Sequence, residues 1–590
     1  MSKVQKIIFI LTSYQRKQAV WLLAILIIVA LLDMIGVASI LPFIAVLSNP
    51  DLIETNLILN KMFQISTIFG VDNNKEFFFA SGLLVFIILI ISLTFKAFST
   101  YLQVRFVKRC EYSIGKLLVE GYLRQPYSWF LSRHSTELGR TILSEASQVA
   151  GGAIKPLIDL IANGTITFAL LILLIIADTK LALIVGFSLG GSYAFFFYCV
   201  RRYLNRTGTK RIKHDQSRFM AVIEAFNAVK EIKFGGLEKN YINSFSDSAD
   251  NFARTNTSAD IIGLLPRFIL EAVAFGGVLL LILYVMISAG NFNNALPILS
   301  LYVFAGYRLM PALQQVYMSF TKLAFTNTAI DKLHEDIKKI KLTVENENEN
   351  ENQKTLSFNE TISLKNIYYN YPNTSITTLK NINLNIAARS TIGLIGTTGS
   401  GKTTTIDIIL GLLEPQKGTL EIDGKIITKE NLRSWQRAIG YVPQQIYLAD
   451  NSIAANIAFG VEPKKIDLRA VENAAKIANL HKFVLDDLPQ KYQTLIGERG
   501  VRLSGGQRQR IGIARALYHN PKLLIFDEAT NALDDQTEKA VMDAVNNLDN
   551  NITIILIAHR LNTLKNCDVI FKLEKGHLIK QSTINTYNLN

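Results

Sequence analysis

Cysteine is nearly missing from this chain. Three stand in 590 residues, Cys110, Cys199 and Cys567, too scattered for a disulfide framework or for metal-ligand spacing, so isolated reduced thiols are expected. A secretory leader is missing too. The start, MSKVQKIIFILTSYQRKQ, offers only a short apolar patch from Ile7 to Leu11 with no small-residue cleavage site after it, so the first apolar span is expected to stay in the mature protein. Hydrophobic period is missing from VENENENENENQK, which begins at Val344 and cannot bury a core. It reads as a linker over 341–355 between a first domain, 1–340, and a second, 356–590.

Apolar residues are abundant, 49% of the chain, and unevenly spread. The long apolar runs lie before the linker, and the mixed texture of a soluble α/β domain follows it. A bilayer core of ~30 Å needs ~20 mostly apolar helical residues, and six segments qualify: about 19–47, 77–99, 157–177, 181–200, 261–288 and 295–320. DTK at 178–180 makes a tight hairpin of the third and fourth. The connections after spans two and four are long and basic, with Arg105, Lys108, Arg109, Lys116, Arg124, Arg133 and Arg140 in one and Arg201, Arg202, Arg206, Lys210, Arg211, Lys213 and Arg218 in the other. By the positive-inside rule both are cytoplasmic, and so are both termini. The net charge of +14 then suits the anionic inner leaflet and calls for no nucleic-acid partner. Between spans one and two, Ile53, Leu57, Ile58, Met62, Ile65 and Phe69 recur at helical spacing in 51–70, which predicts an amphipathic helix on the outer face or a connector packed on its own protein.

In the second domain GTTGSGKT, comprising Gly396, Thr397, Thr398, Gly399, Ser400, Gly401, Lys402 and Thr403, follows the apolar run TIGLI and is itself followed by Thr404. This is the P-loop pattern: glycines bring backbone N–H groups to phosphates, Lys402 neutralises β/γ-phosphate charge, and the Thr403 hydroxyl ligates Mg²⁺. Downstream KLLIFDE ends in Asp527, suited to hold Mg²⁺, and Glu528, placed to polarise an attacking water as general base. ATP and Mg²⁺ are the expected cofactors, and hydrolysis the expected reaction.

LSGGQRQR, with Ser504, Gly505, Gly506 and Gln507, resembles the signature of ABC ATPases. The long cytoplasmic extensions likewise resemble the membrane domain of an exporter-type ABC transporter. The resemblance implies an α-helical membrane domain of six transmembrane helices with long cytoplasmic extensions, fused to an α/β P-loop ABC ATPase domain. It implies an adenine-stacking Tyr371 in NYPN, a Mg²⁺-sensing Gln444 in YVPQQ, a D-loop Asp534 in NALD and a switch His559 in IAHR beside the γ-phosphate. It also implies a loop at Glu498 in GERG that touches the docking helices. Gln125 to Arg140 would carry the first docking helix, and Gly235 to Asp247 lies near the second. With one P-loop and one signature per chain, the family arrangement is a homodimer with two ATP molecules between its ATPase domains.

Charges at bilayer depth cost from ~2.5 to over 10 kcal/mol and are functional candidates by default. Lys96, Arg267 and Arg308 are the cations and Asp33 and Glu271 the acids; Arg267 and Glu271, four apart, are placed to pair on one helix face. Surplus positive charge suits an anionic substrate such as a pyrophosphate. The stretches VASILPFIAVL, LPRFILE and YRLMPALQQ resemble PglK-type flippases. That resemblance implies outward movement of a polyprenyl-pyrophosphate-linked oligosaccharide across a bacterial inner membrane, with cavity contacts at Arg267, Arg308 and Lys96, the last standing where the family has arginine. Export of another lipid, a drug or a peptide is the alternative, weakened for peptides because no N-terminal peptidase domain precedes span one. An ATP-gated channel is opposed by the intact Glu528.

Overall fold

In the computed structural model the described residues are 2–344, 355–546, 552–557 and 567–583, less 49–51, 56, 69, 72, 178, 289–291, 373, 375, 498–499 and 529–534. The chain forms two units, Met1–Gln125 with Arg133–Glu347, and Pro126–Ser132 with Asn348–Asn590.

The first unit is helical. Two capping boxes start it, Ser2 with Gln5 ahead of α1 (Lys3–Ile10) and Thr12 with Gln15 ahead of α2 (Ser13–Ala38), each satisfying amides that would otherwise be orphaned at a helix start. There follow α3 (Ile40–Ser48), α4 (Leu57–Thr67), α5 (Asn74–Leu123), α6 (Ser135–Arg140), α7 (Lys155–Ala177), α8 (Thr179–Asn227), α9 (Val229–Gly235), α10 (Glu238–Ser288) and α11 (Phe292–Val344). At 50 residues α5 is about 75 Å long, far more than the ~30 Å of a bilayer core; the span and its basic extension are one continuous helix. The six predicted spans fall on α2 with α3, α5, α7, α8, α10 and α11. Among the described residues, Ser13–Ile44, Asn74–Leu123 and Ser135–Ala177 are long and apolar enough to cross a membrane.

Small residues let these helices approach closely. Ala30, Ala305 and Ala312 share a buried cluster with Ile166, Leu170, Leu174, Leu301 and Leu309, the packing expected where lipid supplies no hydrophobic drive between helices. Gly208 of α8 lies against the backbone carbonyl of Phe325 on α11, where a Cβ would collide.

Three local features add to the sequence reading. Within residues 51–70 the helices Leu52–Thr55 and α4 are described, and the buried cluster there is Val46, Ile53, Leu59 and Phe77, with Met62 and Phe63 packed on it. Ile65, expected on the apolar face, is exposed, and Leu59 is buried in its stead. The segment is a connector packed on α3 and α5; Phe69 lies outside the described residues. The short helix in the second long connection is α9, upstream of most of 235–247, ended by Gly236 at φ 62° in the left-handed region that favours glycine; from Glu238 the chain is already α10. Finally, π-helical turns at Thr141–Glu145 and Ala150–Ile154 interrupt the approach to α7. They flank a buried network in which Arg140 pairs with Glu145 and Asp215.

The second unit holds two sheets. One is antiparallel, ordered β2-β1-β4-β5, from β1 (Thr361–Tyr369), β2 (Leu379–Ala387), β4 (Lys417–Ile422) and β5 (Lys425–Ile426). The other is ordered β10-β9-β3-β8-β7-β6, from β3 (Thr391–Ile395), β6 (Ile439–Val442), β7 (Leu523–Asp527), β8 (Thr553–Ile557), β9 (Val569–Glu574) and β10 (His577–Thr583). Its strands run parallel except for β10. Every residue of LLIFD and TIILI is buried, the continuous apolar texture of strands covered on both faces. Because β3 and β7 both flank β8, the loops leaving their carboxyl ends are brought close together. Ligands of open α/β sheets bind at that edge.

Candidate functional site

The P-loop leaves β3 and enters α12 (Lys402–Ile409). Gly396 at φ 154° and Gly401 at φ 104° hold conformations that side chains resist. Space forbids them as well: a Cβ on Gly401 would stand 2.6 Å from Leu379 Cδ2, and one on Gly396 would strike the Leu573 carbonyl. Lys402 Nζ donates to the carbonyls of Gly396 at 2.8 Å and Thr397 at 3.1 Å, folding its ammonium back over the loop. Thr397, Thr398, Gly399 and Thr403 are exposed. Ser400 is buried, and its Oγ has no partner among the described residues. Thr404 is buried as well, its hydroxyl 3.0 Å from that of Tyr371.

At the end of β7, Asp527 accepts a hydrogen bond from Tyr441 Oη at 3.2 Å. Burial pushes the Asp527 carboxyl above the usual carboxylate range, opposed by that hydrogen bond. Burial lowers the Lys402 ammonium, opposed by Glu528 and Asp527. On α12, Asp407 is pushed up to about 6 by burial and then by Asp527. Glu528 takes φ 51°, a strained value for a side-chain-bearing residue of the kind that clusters at functional sites. Gln444 Nε2 donates to Glu528 Oε2 at 2.8 Å. Lys402, Asp527, Glu528, Gln444, Thr404 and Tyr371 are thus gathered at one edge of the sheet. Tyr441 and Asp407 join them without having been singled out in the sequence. Tyr441 opens the YVPQQ run that contains Gln444, and β6 is hydrogen-bonded to β7, so proximity to Asp527 followed from that pairing.

The signature opens a different helix, α13 (Gly505–Leu517). Ser504 caps it: Ser504 Oγ accepts from the Gln507 amide at 3.2 Å, and the Ser504 amide donates to Gln507 Oε1 at 2.8 Å. Gly505 and Gly506 follow in the first turn, where free amides and the helix dipole favour an anion. His559, Asp534 and Glu498 lie outside the described residues.

These residues fit a Mg²⁺-nucleotide. The loop is shaped so that only glycine passes, a buried hydroxyl at Ser400 lacks a partner, and carboxylates stand opposite an ammonium. Thr403, Gln444 and Asp527 are the oxygen donors suited to Mg²⁺, which would supply neutralisation of phosphate charge.

In the helical unit the five charges singled out in the sequence, Lys96, Arg267, Arg308, Asp33 and Glu271, fall into two groups. Arg267 Nε donates to Glu271 Oε1 at 2.6 Å on its own helix. Asp33 on α2 gathers the rest: Ser92 Oγ donates to it at 2.7 Å, Lys96 Nζ is 3.4 Å away and Arg308 Nη1 is 3.5 Å away. Ser92 carried no sequence signal beyond lying one turn before Lys96.

Comparison with known proteins agrees with both units. Residues 52–310 match the ABC transporter transmembrane region and residues 379–531 the ABC transporter family. The chain is 30% identical over 467 residues to the ATP-dependent lipid A-core flippase of Saccharophagus degradans, covering 77% of this chain and 75% of that one. It is 29% identical over 509 residues to the alpha-hemolysin translocation ATP-binding protein HlyB of Proteus vulgaris, covering 84% and 69%. In fold it is similar to a bacterial Atm1-family ABC exporter solved with ATP bound, at a TM-score of 0.74 and 21% identity, over 97% of this chain and 96% of that one.

Proposed function

The chain belongs to the ABC transporter family as an exporter with a membrane domain and one ATPase domain, and we propose that it flips a polyprenyl-pyrophosphate-linked oligosaccharide. The chain is a multi-pass membrane protein that couples ATP hydrolysis to transport. In this reading it works as a homodimer in a bacterial inner membrane, with termini and ATPase domains in the cytoplasm and substrate moving from the cytoplasmic to the outer face.

The observation that carries the substrate reading is a charge balance. Among the described residues, Lys96, Arg267 and Arg308 meet Asp33 and Glu271 in their ion pairs, three cations to two acids, so this group carries one excess positive charge per chain at bilayer depth, where charge is costly unless used. Two copies supply two such charges, and a pyrophosphate diester brings about two negative ones. The relative named as a lipid A-core flippase supports a lipid as cargo, and it makes lipid A-core the second reading.

The ATPase residues divide the work. P-loop amides and Lys402 hold the phosphates, Tyr371 packs the adenine, and Glu528, oriented by Gln444, takes the proton of the attacking water with His559 beside it. Ser504, Gly505, Gly506 and Gln507 present their helix N-terminus to the nucleotide of the opposite copy, with Asp534 at the same junction. Closure of the two ATPase domains drives the membrane helices, and hydrolysis separates them.

The test is ATPase stimulation in nanodiscs by a panel of lipids. A polyprenyl-pyrophosphate oligosaccharide should stimulate several-fold at micromolar concentration, and lipid A-core should not. The reverse ranking overturns the substrate reading and leaves the exporter assignment intact.

A further inference from the structure

Asp33 is buried, its side chain 1% exposed, with one partner drawn close and two held off. The Ser92 hydroxyl donates to Oδ1 at 2.7 Å. The cations stand at 3.4 Å from Oδ2 for Lys96 and 3.5 Å from Oδ1 for Arg308. A committed carboxylate–guanidinium pair is shorter, about 2.7–2.9 Å, and commonly bidentate. Neither cation here is so committed, and one carboxylate cannot neutralise two. The accessibility is graded in the same sense: Lys96 keeps 44% and Arg308 19% of the side chain exposed above a fully covered anion.

We propose that Asp33 is a positioning residue for an anion site formed by Lys96 and Arg308: it holds both cations while the site is empty and yields them to the phosphate oxygens of a lipid headgroup. The inference rests on the anionic-lipid reading above and adds to it a resident competitor. Three helices, α2, α5 and α11, supply the parts, so the cations are pre-placed and little ordering cost falls on the ligand. When the cations turn to phosphate, the Ser92 hydrogen bond remains, so the buried carboxylate is not stripped of every partner. The competitor also sets a threshold. A headgroup must attract the two cations more strongly than one carboxylate does, which favours a pyrophosphate over a monophosphate and rejects a neutral lipid.

The experiment uses the full-length protein in nanodiscs, with ATPase stimulation followed as a short polyprenyl pyrophosphate, its monophosphate and its alcohol are titrated. For Asp33→Asn the half-saturating concentration of the pyrophosphate should fall by about tenfold while the maximal rate also falls, because release becomes slow. The monophosphate, weak on the wild type, should become an effective stimulator. Asp33→Glu should restore the wild-type ranking. A well-folded Asp33→Asn protein with an unchanged or raised half-saturating concentration overturns the inference, since a purely structural carboxylate would not tighten binding when lost. If Asp33→Asn does not fold, Ser92→Ala reads the same competition from the other side. Without the hydroxyl the carboxylate turns wholly to its cations, so the half-saturating concentration should rise about threefold, and no change overturns the inference. A wild type indifferent to the pyrophosphate lipid overturns the substrate reading and this inference together; a responsive wild type with an unmoved variant overturns this inference alone.

Discussion

At Glu528 the backbone sits at φ 51° and the carboxylate accepts from Gln444. Holding a glutamate there costs of order 1–3 kcal/mol that the surrounding strand contacts must offset, which is intelligible if the position of the carboxylate matters more than its comfort. Glu528→Gln should lower ATP turnover by at least about 10²-fold with nucleotide affinity retained, measured by phosphate release and by nucleotide binding on the same preparation. Asp407 behaves differently. Its carboxyl is raised from 3.8 to about 6 by burial and by Asp527, so its contribution to stability is full below pH 3.8 and is lost as pH rises through about 6. Above that pH both states are ionised, but the folded protein holds buried the charge that the unfolded chain leaves in water. Asp407→Asn should therefore stabilise the protein at pH 7.5 by about 1 kcal/mol after allowance for solvent screening, seen as a raised melting temperature, with a gain about half as large at pH 5. Thermal melts of full-length protein at the two pH values check it. The candidate phosphate-binding and hydrolytic residues could be picked out in the sequence because their spacing is local. Asp407 and Tyr441 could not, because what matters about them is contact across two elements with Asp527.

The helices repeat that lesson. Long apolar runs announced the spans, and the strands of the second unit announced themselves by unbroken burial. In the segment 51–70 periodicity marked an apolar face without saying what covers it; the structure shows Ile53 and Leu59 buried with Val46 and Phe77, and Met62 packed on them. Nor did the sequence reveal that α8 and α11 touch through backbone. Gly208 lies against the Phe325 carbonyl, with no room for a methyl group, so Gly208→Ala should force the helices apart. The expected cost is about 1–3 kcal/mol, read as a lower melting temperature in detergent. An equivalent Gly164→Ala change on α7, where open space surrounds the position, should cost little.

For the molecule as a whole, the proposed active unit is a pair of copies, since each chain carries one P-loop and one signature. Mixing wild-type with Glu528→Gln chains should then lower transport more steeply than the wild-type fraction, as a two-copy machine requires. Chain architecture was legible in the sequence, and so was a functional ATPase; the cargo was legible only as a charge sign. What the structure added is the arrangement of that charge, two cations leaning on Asp33 and a third paired on its own helix. The most direct measurement is outward movement of a fluorescent polyprenyl-pyrophosphate oligosaccharide across proteoliposomes containing the purified protein. ATP-dependent translocation that is lost in Glu528→Gln and falls at least about tenfold in the Lys96→Ala/Arg308→Ala double variant is the predicted result. Vigorous ATP hydrolysis with no translocation of that lipid, or translocation indifferent to both cations, would contradict it.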